Sequence, residues 1–361
     1  MLRRFMITFI CLFNFFSCYQ QKTFAYQVQE VFAVDGVIWG FDHIDQNKVI
    51  YTKRKGEMWV FDNKVNNHQL IANVPDVYHD GQGGLLDVVL HPEFEKNNWV
   101  YLSYSVQVNQ SFETRIARAK LIKNKLENLE VLFTSNTGST HSIHFGSRIV
   151  FDGQGFIFFT VGDRGQRERA QDLLSDNGKV YRMKEDGVVP TDNPFTNQKG
   201  VNPLIWSYGH RNPQGLYFDI TKGELWEQEH GPRGGDEINL IQKGKNYGWP
   251  VITYGREYHG PKIGDGSTHR KNMEQPMYYY VPSIAPCGLS MYFGNAFPEI
   301  KGAFLSGALA GMHLNLLVKN GGSFKELRWL TERNQRVRNV KVVGDDIYIS
   351  TDSGQLIRVF N

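Results

Sequence analysis

The chain has 361 residues, 41% of them hydrophobic and 21% charged, with a formal net charge of +3. That balance excludes a disordered or low-complexity chain, and the length suffices for one large or two ordinary domains. Thirty-six glycines and a 13% aromatic content against only 8 methionines favour strands and tight turns over long helices.

In chain order, residues 1–25 stand apart. Arg3 and Arg4 precede the apolar run "FMITFICLFNFF", which is too short to span a bilayer, and "TFA" (23–25) puts small residues where a signal peptidase cuts. Residues 1–25 are therefore expected to be a cleaved export signal, and residues 26–361 the mature, periplasmic or secreted domain with no stable membrane insertion. A lipoprotein signal ending at Cys18 is one rival, disfavoured by the phenylalanines of "FFSC"; a buried first strand is another. Cleavage removes Arg3, Arg4 and Lys22 from the 40 basic residues and no acid, which leaves 37 of each sign. Nothing in that neutral balance argues for a nucleic-acid partner. Cys287 is then the only cysteine, so an intrachain disulfide is excluded.

Beyond the leader, a short apolar-aromatic run, a turn and a second run recur. The copies are "NKVIYTKRKGEMWVFD" (47–62), "NNWVYLSYS" (97–105), "GFIFFTVGDRG" (155–165), "GELWEQEHG" (223–231), "GAFLSGALAG" (302–311) and "DDIYISTDSGQLIRVF" (345–360). Each alternates Tyr, Ile, Val, Phe or Thr with polar residues and ends at Gly, Asp or Asn, the pattern of a strand. Six such units predict an all-β chain, a six-bladed β-propeller of four-stranded antiparallel blades, with a pair of β-sandwiches as the alternative. Helical periodicity is confined to "RERAQDLL" (167–174), two turns at most. No Pro/Ser-rich linker divides the chain, so a single domain is expected.

The segments with chemical potential follow the same order. "HDGQGGLLDVVLHPEF" (79–94) sets Gln82 in a glycine cluster, where backbone and ligand can approach closely. "STHSIHFGSRIVFDGQG" (139–155) places His144 at a loop–strand junction, suited to a general base; a histidine bonded to a nearby carbonyl is the simpler reading. "SYGHRNPQGLYFD" (207–219) puts Arg211 and Asn212 before Pro213, two donors on a stiff turn that suit an oxyanion or merely cap a strand. In "EHGPRGGDEINLIQKGKNYGWP" (229–250) the carbonyls of Gly231 and Pro232 and the carboxylate of Glu237 offer oxygen ligands for Ca²⁺, although EF-hand spacing is absent and a plain connecting loop has the same look. "NQRVRNV" (334–340) sets Arg336 and Arg338 on one face of a strand, where an anionic partner such as a ligand carboxylate is required unless that face is solvated.

Taken in order, "GQGGLLDVVLHPEF", "HFGSRIVFDGQGFIFFTVGDRG", "GKVYRMKEDGVVPTDNPF", "GHRNPQGL", "EHGPRGGDEINLIQKGKNYGWP" and "PSIAPCGLSMY" resemble the soluble quinoprotein glucose/sorbosone dehydrogenases, and within them the compact aldose sugar dehydrogenases, over residues 30 to 360. The resemblance implies a six-bladed propeller, pyrroloquinoline quinone (PQQ), Ca²⁺, and periplasmic oxidation of the C1 hydroxyl of a small aldose to a lactone. By the same resemblance His144 is the base and Asp163 an aspartate near the active site. Arg211 and Asn212 flank the quinone oxygens, with Arg211 stabilising charge there. Gln82 and Tyr258 contact the cofactor, and Arg336 and Arg338 face its carboxylates. Gly231 and Pro232 hold the catalytic Ca²⁺ through their carbonyls, while Glu237 and the Tyr247 carbonyl hold a second, structural one.

Three positions depart from that family pattern. Ala310 stands where a lysine usually reaches the cofactor, Ile143 replaces an aspartate before the base, and Cys287 replaces a serine. A lost charge-assisted contact costs on the order of 1–3 kcal/mol, which weakens cofactor binding without abolishing it; His313 is the nearest partial substitute. Ala310 motivates a second expectation, a non-catalytic propeller that binds sugar or a protein partner. Which sugar, which electron acceptor and which oligomeric state apply is not written in these motifs.

Overall fold

The computed structural model describes residues 26–361; the expected export signal lies outside them. Six four-stranded antiparallel sheets form the blades. The innermost strands Ile38–His43, Leu85–Leu90, Ile149–Phe151, Pro213–Asp219, Pro286–Met291 and Val337–Val343 pack each against the next, and the last against the first, so the ring closes. Five blades are continuous in sequence. The sixth is composite: the N-terminal strand Gln27–Ala33 pairs antiparallel with the C-terminal strand Gln355–Phe360, which leaves no blade open. Each of the six sequence repeats falls in its own blade and covers all or most of that blade's second strand.

Neighbouring blades stack face to face, so both faces of an inner strand are covered. Trp99–Val108 is therefore buried along most of its length, whereas the outermost strand of the same blade, Lys125–Thr134, is largely exposed. Helical structure among the described residues is limited to Phe94–Asn97 and three 3-10 turns, of which Arg167–Gln171 occupies the expected short helical stretch. No described helix is long and apolar enough to cross a membrane.

Connectivity fixes where chemistry can gather. Every inner strand starts at one end of the axis, and every turn from second to third strand returns to that same end. Gln82, His144, Arg211, Asn212 and Arg336 all precede or open an inner strand; Asp163, Gly231 and Pro232 lie in second-to-third turns. One end of the propeller thus collects residues separated by more than 250 positions.

Below that end the axis is filled. In five blades the register slips within the first residues of the inner strand, at 38/41, 85/88, 213/215, 287/290 and 337/339. Such bulges re-aim side chains, and here they present Trp39, Asp87, Gln214, Cys287 and Arg338 to Arg148, from the remaining blade. Arg148 donates to Asp87 Oδ1 (3.0 Å), to the carbonyls of Gln214 (2.9 Å) and Arg338 (2.9 Å) and to Cys287 Sγ (3.5 Å), and its guanidinium lies 4.0 Å from the Trp39 ring centroid. One buried side chain therefore touches every blade.

Candidate active site

His144 is the centre of the upper end. Its backbone lies in the left-handed region, φ 54°, which is costly for a residue with a Cβ. Gln82 Oε1 holds its N–H at 2.9 Å. Gly162 allows the close approach of the neighbouring strand: a Cβ there would fall 2.1 Å from the His144 carbonyl oxygen. The imidazole Nδ1 lies 2.6 Å from Asp163 Oδ1. Asp163 is fixed in turn by the Gly165 N–H (2.8 Å) on the same oxygen and by Trp249 Nε1–H (2.8 Å) on the other.

The electrostatics set the tautomer. Burial works against the charged form of Asp163, yet its hydrogen bond and charge interaction with His144, with Arg211 and the Gly165 N–H adding, hold the carboxyl below its ordinary range. The ionised carboxylate accepts, so Nδ1–H donates and Nε2 carries a lone pair; Nε2 has no hydrogen bond among the described residues. Burial first, then Arg211, push the imidazole pKa down, with Asp163 opposing. A neutral, oriented imidazole with a free Nε2 is a general base.

Beside it, Arg211 is buried. Its backbone N–H donates to Glu229 Oε2, and its Nη1 to the carbonyls of His230 (3.0 Å) and Gly231 (2.9 Å). Asn212 Oδ1 accepts from the Gly146 N–H at 3.2 Å. His230 stays neutral: burial and Arg211 push its pKa down to about 3, and Nε2–H donates to the Pro286 carbonyl at 2.8 Å. Among the described residues no carboxylate is hydrogen-bonded to the Arg211 side chain, which feels the Asp163 charge without a direct anionic partner.

A second cluster lies under the Gly231 turn. Glu227 and Glu229 share one face of the strand Glu224–Glu229, and Glu229 sits opposite Glu237 in register. His210 joins them: single ligand atoms of His210, Glu227 and Glu229 all fall within 4.8 Å of one another. Burial, then the charge of Glu229, push the pKa values of Glu227 and Glu237 well up. Glu227 Oε1 is buried without a partner, and Asn239 Nδ2 is shared between Glu227 (3.0 Å) and Glu237 (3.4 Å). A cavity of about 10 Å³, room for one water-sized occupant, is lined by Glu229, Gly231, Glu237 and Tyr247 among others. Gly231, Glu237 and Tyr247, expected at two separate Ca²⁺ positions, thus border one space. Pro232 is buried in the same turn, which is fastened by Asp236 Oδ1 accepting the Gly231 N–H (2.8 Å) while Oδ2 accepts the Ile284 N–H (2.7 Å). Tyr247 stacks on His210, with ring centroids 4.8 Å apart.

The anionic partner that Arg336 and Arg338 require is, in the first instance, internal. Asp352 accepts from Arg336 Nε (2.8 Å) and forks with Arg338 Nε and Nη2 (2.8 and 2.9 Å). Arg338 is buried at a bulge, while Arg336 remains part exposed and also donates to the Leu309 carbonyl (3.0 Å). Tyr258 is 57% exposed in a rim loop, its ring free of the groups above. His313 does not replace the missing lysine: its ring is buried, Nδ1 meets the Gly311 carbonyl at 2.8 Å, and Nε2 faces Glu326 on the outermost strand, away from the axis. Sequence reasoning missed Glu227, Glu229, Trp249, Asp352 and Arg148. The i,i+2 pair Glu227/Glu229 on a recognised strand was the one available signal.

Comparison with known proteins identifies the family. The family model described as Glucose / Sorbosone dehydrogenase matches residues 36–358. The aldose sugar dehydrogenase YliI of Escherichia coli is 39% identical over 323 residues, 87% of each chain. The quinoprotein glucose dehydrogenase B of Acinetobacter calcoaceticus is 33% identical over 60% of this chain, which spans half of that relative. The crystal structure of the soluble aldose sugar dehydrogenase from Escherichia coli in its apo-form superposes with a TM-score of 0.88 at 38% identity, covering 93% of this chain and 99% of the other. The chain belongs to the glucose/sorbosone dehydrogenase family.

Proposed function

We propose that this protein is a periplasmic, PQQ- and Ca²⁺-dependent aldose dehydrogenase that oxidises the sugar C1 hydroxyl to the lactone. The observation that carries the reading is the His144–Asp163 pair at 2.6 Å with Nε2 left free. The relatives named above, an aldose sugar dehydrogenase and a quinoprotein glucose dehydrogenase, supply the substrate and cofactor class. The leader-like residues 1–25 support the compartment.

The residues present fit both groups. An anionic quinone suits a cleft where Arg211 is buried without a carboxylate partner, Gln82 and Asn212 offer amides, and Arg336 and Arg338 outnumber Asp352. Three buried carboxylates with no lysine ammonium or arginine guanidinium bonded to them among the described residues, one oxygen of them unpartnered, suit a hard cation with oxygen ligands. When bound, PQQ supplies the hydride acceptor and Ca²⁺ the Lewis acidity that makes it electrophilic.

The chain's own part is positioning and proton transfer. His144 Nε2 takes the C1 hydroxyl proton as the C1 hydride departs, and the sugar's C1 becomes the lactone carbonyl. Asp163, already ionised, stabilises the imidazolium that forms. Arg211 places positive charge where negative charge develops.

The test is a titration of calcium-loaded apoprotein with PQQ, followed by absorption, then addition of glucose or xylose. Saturable binding and sugar-dependent bleaching of the quinone are expected. Absence of binding at micromolar PQQ would overturn the assignment in favour of a non-catalytic propeller.

A further inference from the structure

Arg54 opens the second-to-third turn of the first blade, directly after the strand Lys48–Lys53. The equivalent turns of the third, fourth and sixth blades bring Asp163, Gly231 and Asp352 to the site; that of the fifth brings uncharged Ala310. Arg54 is also tied to the segment that holds His144. Its carbonyl accepts the Leu85 N–H at 2.9 Å, and Gly84 is pressed so closely on it that a Cβ would fall 1.9 Å from that oxygen. Two residues earlier in that segment stands Gln82, which anchors His144.

The guanidinium of Arg54 has no hydrogen bond or ion pair among the described residues, and its Nε is buried. Burial, then the charges of Arg338 and Arg336, depress its pKa, and Asp352 only partly opposes. Three guanidinium groups thus share one carboxylate. A buried donor left unmade and an uncompensated cation both cost stability, so the arrangement calls for an anion that arrives from outside the chain.

We infer that Arg54 is a cofactor-binding residue, its guanidinium pairing with a carboxylate of the quinone beside Arg336 and Arg338 of the adjoining blade. The inference rests on the proposed function and extends it. It places a charged contact in the first blade, where the fifth offers none at Ala310.

The experiment compares wild type, Arg54→Gln, Arg54→Lys and Arg336→Gln as calcium-loaded apoproteins, titrated with PQQ and with its trimethyl ester, alongside apoprotein melting. Arg54→Gln should weaken PQQ binding by about tenfold or more, with Arg54→Lys between it and wild type. The loss should vanish for the ester, and the apoprotein melting point should hold or rise, because a repelled cation has gone. Wild-type PQQ affinity in Arg54→Gln, with Arg336→Gln weakened, would overturn the role of Arg54 alone. An equal loss for PQQ and ester would also overturn it, by showing a merely structural effect. Failure of wild type itself to bind PQQ would overturn the proposed function first.

Discussion

Replacing Asp163 by Asn tests the proton-transfer geometry most directly. The carboxylate accepts from His144 Nδ1 (2.6 Å) and Gly165 N–H (2.8 Å) on one oxygen and from Trp249 Nε1–H (2.8 Å) on the other. An amide has one acceptor oxygen. If it keeps the indole, the NH₂ faces Nδ1 and forces the proton to Nε2, where the base can no longer accept. If it keeps Nδ1–H, the buried indole N–H is orphaned. Either way one hydrogen bond to a charged group is lost, about 1.5–3 kcal/mol, together with the charge that stabilises the imidazolium. Turnover should fall by at least ~10- to 150-fold, while PQQ affinity changes little, since Asp163 faces His144 and Trp249. The assay is dye reduction by PQQ-loaded protein, with cofactor occupancy read by absorption. Wild-type kcat at full occupancy would refute the dyad.

Other consequences are open to measurement. Because burial and Arg211 hold His144 below its ordinary 6.5, the acid limb of kcat/KM should lie below pH 6.5; a limb at or above that value would show that the imidazole is not desolvated as described. The same depression means that the stability His144 contributes is complete above pH 6.5 and is lost as pH falls through that value, where the unfolded chain binds the proton first. Chelation of Ca²⁺ should lower the melting temperature, and Glu237→Gln should shrink that difference; an unchanged melting curve would remove the ion from the acidic cluster. Arg148→Met leaves Asp87 buried without its counter-charge and should cost ~3–5 kcal/mol in urea unfolding, whereas a cost under about 1 kcal/mol would show that Arg148 does not bind the blades together. Cys287→Ser retains a donor for Gln214 Oε1, now 3.1 Å from Sγ, and should leave activity near wild type; a large loss would point to a thiol-specific role.

The blades were legible because each repeat covers a second strand whose composition is fixed by burial between neighbours. The register of those strands was not, since a bulge is one extra residue and leaves no mark in an apolar run. Arg338 and Gln214 reach the axis only because of such slips. His144, Arg211 and Asn212 could be singled out from local turn chemistry. Their supports could not: Trp249 is 86 positions from the Asp163 it holds, and a closed ring makes neighbours of residues without local trace. Asp352 shows the same limit. The pair Arg336/Arg338 signalled a need for negative charge, but that part of it is met from the sixth blade's own turn depends on hairpin geometry. His313 shows the opposite error, in which side-chain chemistry suits the site and backbone direction does not take it there.

Arg148 makes the propeller a cup and not a pipe. Its guanidinium and the residues around it stop the axis between the site and the far cavity lined by Asp42, Val150 and Lys341. On the proposed function, the sugar, its lactone and a small diffusible electron acceptor would therefore reach the site from the same end of the axis and take turns there. Steady-state rates with both reactants varied should give parallel double-reciprocal lines, and a high concentration of either should inhibit by blocking the other.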